Sequence, residues 1–277
     1  METRPIRDAA ELEQVIEWAA AEGWNPGLDD AAAFLAADPD GFFVTLVDGQ
    51  PVAAVSVVNH DPRHAFLGLY ICHPDWRGRG VGMATWTAGL AHAGDRSVGL
   101  DGVPAQEANY RASGFKRVGA SLRHEGRLEG RASGAVRAAV PADDAALLAL
   151  DAQANGQGRV AFMTAWLRDA GGTRDSRVLE RGGEIAGFAT WRACQNGTKI
   201  GPVIAPDSAA ALELIRDIAL LRPEGPLVID LPEANTQLRR ALEAEGFTVP
   251  FSTARMYRGA VPATQPSLQA IATMELG

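Results

Sequence analysis

The sequence predicts an α/β (α+β) protein made of two tandem copies of one unit, and three observations carry that prediction. Helix, hairpin and strand patterns of the first half recur in the same order in the second. Each half contains an apolar strand that ends in His/Ala-Pro-Asp and leads into a helix, Ile71-Cys72-His73-Pro74-Asp75 in one and Val203-Ile204-Ala205-Pro206-Asp207 in the other. Between them, residues 125–134 are charged, Gly-rich and free of apolar periodicity. At 277 residues the chain is long enough for two ordinary domains, and this boundary puts them at 1–128 and 135–277.

In order, residues 1–5 open with a strand-like start. Residues 11–21 carry Leu12, Val15, Ile16 and Ala19 at helical spacing, and a second helix over 29–37 stops at Asp38-Pro39. Runs at 42–47 and 51–58 flank Asp48-Gly49-Gln50 as a hairpin. After a turn at 59–64, the apolar run 65–72 reads as a strand, followed by a Gly-rich loop, a helical pattern and a buried strand at 98–101. The second half repeats this order. Helices at 142–153 and 162–168 precede a hairpin of 176–179 and 184–191, a strand at 199–205, a helix at 209–221 and a strand at 227–231. The hairpin turns also match, Asp48 to Ala54 aligning with Arg181 to Gly187.

Composition narrows the function classes. With 47% hydrophobic and 22% charged residues, a packed soluble protein is expected. A net charge of −8 argues against a nucleic-acid binder, which needs a broad basic face. No apolar stretch approaches membrane-spanning length, and no apolar signal region follows Met1. Cys72 and Cys194 fall in different halves, which excludes a disulfide framework and a Cys-rich zinc site. A cytoplasmic protein with no metal is the expectation.

Chemistry concentrates in Arg77-Gly78-Arg79-Gly80-Val81-Gly82. A Gly-rich turn between strand and helix lets backbone N–H groups and the helix N-terminus approach a phosphate, and the two arginines add positive charge. The loop lacks the Lys-Ser/Thr of a nucleoside-triphosphate loop and the spacing of a dinucleotide fold. Its form, R-x-x-G-x-G, resembles the pyrophosphate-binding motif of the GNAT superfamily of acyl-CoA-dependent N-acyltransferases. Tyr110-Arg111-Ala112-Ser113-Gly114-Phe115, or Y-x-x-x-G-F, resembles the late motif of the same superfamily. The resemblance covers about residues 4–125. In the second half the loop position reads Ser208-Ala209-Ala210-Ala211 and the tyrosine position is Leu242, as in tandem GNAT proteins with a degenerate C-terminal half.

The resemblance implies two GNAT-like domains, each a mixed, mostly antiparallel sheet flanked by helices. It implies acetyl-CoA as co-substrate, cradled by Arg77, Gly78, Arg79, Gly80, Val81 and Gly82, with Ile71, Cys72 and His73 pairing their main chain to the pantetheine arm and Asn109 also contacting the cofactor. Tyr110, whose phenol has a reference pKa of about 10, would protonate the departing thiolate. In this superfamily the joint between the first two helices borders the acceptor site, which points to Trp24, Asn25 and Asp29 as substrate residues. The reaction implied is direct N-acetyl transfer to a primary amine of a small molecule, by a monomer or homodimer. A non-catalytic acyl-CoA sensor and a protein or peptide N-acetyltransferase are the other classes in play. No general base is singled out among His60, Asp61, His64 and Glu107.

Overall fold

A computed structural model describes residues 1–168 and 170–277. In the first half, β1 (Glu2–Pro5), α1 (Ala9–Ala21), α2 (Asp30–Ala37), β2 (Phe42–Val47), β3 (Gln50–Asn59), β4 (His64–Cys72), α3 (Val81–His92), β5 (Ser97–Gly102), α4 (Glu107–Ala112) and β6 (Lys116–Gly126) follow one another. The second half runs β7 (Val136–Ala138), α5 (Asp144–Asn155), α6 (Val160–Trp166), β8 (Arg174–Arg181), β9 (Glu184–Ala193), β10 (Thr198–Ile204), α7 (Ser208–Leu221), β11 (Leu227–Pro232), α8 (Thr236–Ala244), β12 (Thr248–Arg258) and β13 (Leu268–Ala270). The predicted repeat of elements is present, with most helices and strands within a few residues of their expected bounds.

All the strands join one 13-stranded sheet in the order β1-β2-β3-β4-β5-β12-β6-β11-β10-β9-β8-β7, with β13 paired to β10. The sheet is mixed and mostly antiparallel; β4–β5 and β10–β11 are its parallel pairs. Its centre is an exchange. Strand β12 of the second half lies between β5 and β6, while β6 of the first half lies between β12 and β11. Residues 125–134 therefore do not form a free linker. Glu125 and Gly126 pair with Val228 and Leu227, Leu128 is buried, and the Arg131 N–H donates to the Arg216 carbonyl at 3.0 Å. The absence of apolar periodicity there reflects a short crossing, too brief to show a period.

One apolar core runs through both halves. It packs Leu12 and Val15 of α1 and Phe34 of α2 with Phe162, Met163 and Trp166 of α6, and takes in Ile271, Met274 and Leu276 near the C-terminal end. Further cores lie beneath α3, where Ala254 and Met256 of β12 join residues of the first half, beneath α7 and α8, and around Val52, Ala53 and Val81. Among the described residues, no helix is long and apolar enough to cross a membrane.

The halves are also tied by buried charge. Asp30, in the first turn of α2, accepts from the Gly27 N–H at 2.8 Å and from Arg174 at 2.9 Å, and lies 3.3 Å from Arg192. The two guanidinium groups stack on Trp166, at 4.3 and 4.6 Å from its ring. All three charged side chains are nearly inaccessible to water, so loss of the carboxylate leaves two buried cations with only Asp29, 3.7 Å from Arg174, to offset them. Asp30→Ala should therefore destabilise the protein by about 3–5 kcal/mol, the usual cost of breaking a buried ion pair on one side. Urea unfolding would read this as a lower midpoint at unchanged slope; a midpoint equal to wild type would show the cluster to be energetically idle.

Candidate active site

The site begins at an irregularity in β4. Ser56 of β3 faces Gly68 and Ala54 faces Ile71, so Leu69 and Tyr70 together oppose Val55 as a bulge. Leu69 has φ of 45°, a left-handed conformation that costs a non-glycine residue about 1–2 kcal/mol. The bulge turns β4 away from β5. The two pair in parallel only from His64–Ser97 to Leu67–Leu100, and beyond that the β5-facing edge of residues 68–72 has no strand partner among the described residues. A wedge opens there, walled by main-chain groups able to pair with an extended ligand.

At the outer end of the wedge stands the Gly-rich loop. Gly80 caps α3 without any side-chain acceptor, so the first-turn N–H groups face outward, as a phosphate site needs. A groove of about 600 Å³ is lined here by Ile71, Cys72, Arg77, Gly78, Gly80, Gly82, Asn109 and Trp24, among others. A Cβ at Gly82 would sit 2.7 Å from the Tyr70 hydroxyl, inside van der Waals contact, so this approach of helix to strand requires glycine. Arg77 lies across the mouth, donating from Nε to the Cys72 carbonyl at 2.9 Å and from Nη2 to Glu22 at 2.5 Å. Glu22 thus occupies the kind of position that a ligand phosphate oxygen would take on that guanidinium.

Three of the predicted cofactor residues stand outside the groove lining. The His73 N–H donates to Val52 O at 2.8 Å, which anchors the end of β4 to β3. Val81 is buried against Val52 and Ala53 and seats the helix. Arg79 is exposed and stacks over Trp76 at 5.3 Å. Burial pushes the Cys72 thiol up from its ordinary pKa, keeping it protonated at neutral pH and a poor nucleophile.

The groove continues inward into a narrow pocket of about 70 Å³, and both cavities share Trp24, Tyr70, Val103 and Gln106. Tyr110, Arg123, Phe251, Met274 and Glu275 are among the residues of the inner wall, with Asp101 and Leu67. The Tyr110 ring stacks on Trp86 at 5.5 Å, and burial beside Tyr70 holds its hydroxyl above the ordinary phenol pKa. It is thus protonated at neutral pH, as a proton donor must be. Glu107 is engaged with Arg111 at 2.5 Å, and His64 with Asp61 at 3.0 Å, both outside the pocket.

The α1–α2 joint divides. Its Trp24 lines both cavities, and the Trp24 carbonyl is gripped by Arg123 at 3.0 Å and Lys199 at 3.0 Å. Arg123 is itself fixed to Asp230 at 2.8 and 3.0 Å. Burial opposes the Asp230 charge, yet the adjoining guanidinium holds its carboxyl below the usual carboxylate range. Asn25 and Asp29, by contrast, line neither cavity. Asn25 exchanges hydrogen bonds with the Asn196 main chain at 2.8 and 3.1 Å, and Asp29 accepts from Thr173 at 2.6 Å. Both staple the joint to the second half. Their partners lie 171 and 144 residues away in sequence, in the β9–β10 turn and just before β8.

The second half repeats the wedge and then fills it. Strands β10 and β11 pair in parallel from Thr198–Leu227 to Ile200–Ile229, and β10 then shifts register at Gly201-Pro202. In the gap lies β13, with Ala270 opposite Val203, Leu268 opposite Ile204, and the Ile271 N–H donating to the Asp230 carbonyl at 3.0 Å. Beyond β13 the chain crosses to the first half. The Glu275 main chain packs so closely on Gly68 that a Cβ there would overlap its carbonyl oxygen. The Leu276 carbonyl accepts from His60 Nε2 at 2.8 Å; burial lowers that imidazole to about 4, so it donates as the neutral form. Residues 268–277 are buried throughout. The one signal in the sequence was composition, since Leu268-Gln-Ala-Ile-Ala-Thr-Met-Glu-Leu-Gly277 is too apolar for a solvated tail.

With this geometry in hand, comparison with known proteins is consistent at every level. The acetyltransferase (GNAT) family model matches residues 8–119, and a second acetyltransferase (GNAT) domain model matches 147–271. The holothin acyltransferase of Pseudoalteromonas sp. (strain SANK 73390) is 34% identical over 275 residues, covering 96% of this chain and 92% of that protein. In fold, the chain is similar to a putative acetyltransferase from Pyrococcus horikoshii, with TM-score 0.82, 19% identity and coverage of 100% and 95% of the two chains. It is also similar to a tandem GNAT protein from the clavulanic acid biosynthesis pathway, with TM-score 0.63, 17% identity and coverage of 92% and 97%. The wedge, the loop at its mouth and the filled second copy thus have a common explanation: the chain belongs to the GNAT acyltransferases, as a tandem two-domain member.

Proposed function

We propose that the first half transfers an acetyl group from acetyl-CoA to the primary amine of a small molecule by direct attack. The observation that carries this reading is one continuous channel. It runs from the phosphate-suited loop at Arg77–Gly82, along the unpaired edge of β4, to an enclosed pocket at Tyr110. A pyrophosphate at the loop and an extended arm on residues 71–73 would bring a thioester to the inner pocket. A main-chain N–H of that edge would then polarise the thioester carbonyl as charge develops on its oxygen. Tyr110 gives its phenolic proton to the departing sulfur. Cys72, held as a thiol, is unsuited to carrying an acyl group, which favours direct transfer over a covalent relay. The small inner pocket favours a small acceptor over a protein side chain, and the relative named as holothin acyltransferase is in keeping with acyl transfer.

Three measurements test this reading. Calorimetry with acetyl-CoA should give binding in wild type that Gly82→Val abolishes, because its side chain would collide with Tyr70 and block backbone approach to the phosphates; unchanged affinity in the variant would refute the loop assignment. Titration should saturate at one equivalent per chain, since β13 fills the second wedge; two equivalents would show that β13 is displaceable. Tyr110→Phe keeps the ring on Trp86 but removes the proton, so thiol release in the presence of an accepting amine should fall by roughly 10²–10⁴-fold at nearly unchanged acetyl-CoA affinity. Near-wild-type turnover would reduce Tyr110 to a packing residue.

A further inference from the structure

We propose that Glu275, delivered by the second half, is the carboxylate that receives the acceptor amine and takes its proton. The inference rests on the acyl-transfer reading above and names a residue for the one role which that reading leaves empty.

Two carboxylates line the inner pocket, Asp101 and Glu275, and only one is uncommitted. Asp101 is saturated: it accepts from Arg255 at 3.0 and 2.6 Å, from Ser121 at 2.8 Å and from Thr253 at 3.1 Å. Glu275 accepts from the Thr273 hydroxyl through Oε2, and its Oε1 has no hydrogen-bond partner among the described residues. The residue is 5% exposed, and a carboxylate so enclosed costs free energy unless a partner completes it. Two buried cations, Arg123 and Lys199, lie near enough to act on its charge, but neither donates it a hydrogen bond. Arg123 is bound to Asp230, and Lys199 donates to the Trp24 carbonyl. An incoming ammonium would supply the missing partner.

Placement agrees with the chemistry. Glu275 packs its main chain on Gly68, where β4 and β5 begin to part, so it stands at the inner end of the wedge in the same pocket as Tyr110. Apolar walls from Trp24, Leu67, Phe251 and Met274 surround the two polar groups. The class of acceptor they suit is a compact, largely apolar primary amine, bound as the ammonium. Glu275 removes one proton, and the freed nitrogen lone pair forms the C–N bond at the thioester carbonyl. The C–S bond breaks with its electron pair on sulfur, Tyr110 protonates that sulfur, and the phenolate recovers the remaining proton from the amide nitrogen. The proton on Glu275 returns to solvent, so the sum is ammonium and thioester to amide, thiol and one proton.

The test uses the full chain, acetyl-CoA and a panel of small primary amines, including benzylamine and tryptamine, with thiol release and calorimetry as readouts. Glu275→Gln should keep acetyl-CoA affinity within about twofold and lose roughly 10²–10⁴-fold in kcat/KM for the amine, with kcat itself falling. Glu275→Asp, a carboxylate retracted by one methylene, should retain about tenfold or more of the turnover lost in Glu275→Gln. Should Glu275→Gln fail to bind acetyl-CoA, Glu275→Met, similar in length and apolar like the pocket walls, decides: wild-type turnover there overturns the proposal, and a loss of roughly 10²-fold or more supports it. Equal turnover in wild type and Glu275→Gln overturns the role of Glu275 while leaving the acyl-transfer reading intact. Wild-type protein that binds acetyl-CoA yet acylates no amine of the panel overturns both.

Discussion

The pairing of β6 with β12 is the constraint on which the rest of the molecule depends. A strand with an unpaired edge must find a partner, be covered or face water. Here the last long strand of each half satisfies the other: β12 completes β5, β6 completes β11, and the two complete each other. Removing either half would strip both edges of the exchanged strand left behind and one edge of its neighbour, and would open the core that α2 and α6 share. The chain is therefore two units by sequence repeat and one body by hydrogen bonding.

That shared centre determines what surrounds the channel. Arg123 lies on β6, Asp230 on β11 and Lys199 on β10, and together they hold the carbonyl of Trp24, a residue of the first half. Such buried charges do not by themselves argue for stability, because desolvation offsets much of the attraction. Their effect here is geometric. They fix the loop that forms one wall of both cavities, and they do so with side chains drawn mostly from the other half.

The two wedges illustrate how one backbone device can be kept open or closed. In each half a parallel pair parts after a register shift in its first strand, at Leu69-Tyr70 and at Gly201-Pro202. An edge with unpaired main-chain groups is costly inside a protein, and the second half meets that cost with its own β13. The first half leaves its edge without a strand partner among the described residues. The same ten-residue segment that closes one wedge reaches the apex of the other, so the degenerate half contributes directly to the surface of the intact one.

Local signals carried the element order, the repeat and the loop. Periodicity, the Asp-Gly and Gly-Gly turns, and R-x-x-G-x-G are written within a few consecutive residues, and local backbone geometry follows from them. Arg77, Gly80 and Gly82 of the groove were readable for that reason, because they sit together in the loop motif, and Tyr110 of the inner pocket was readable from a short motif of its own. Asn25 and Asp29 could not be placed the same way. Their partners, Asn196 in the turn between β9 and β10 and Thr173 just before β8, are brought near only by folding, and nothing beside Asn25 or Asp29 in the sequence says so. The strand exchange, the filling of the second wedge and the position of Glu275 are of the same kind. Each is a pairing between residues far apart along the chain, and hydrogen bonding and burial select such pairings only once the whole sheet has closed.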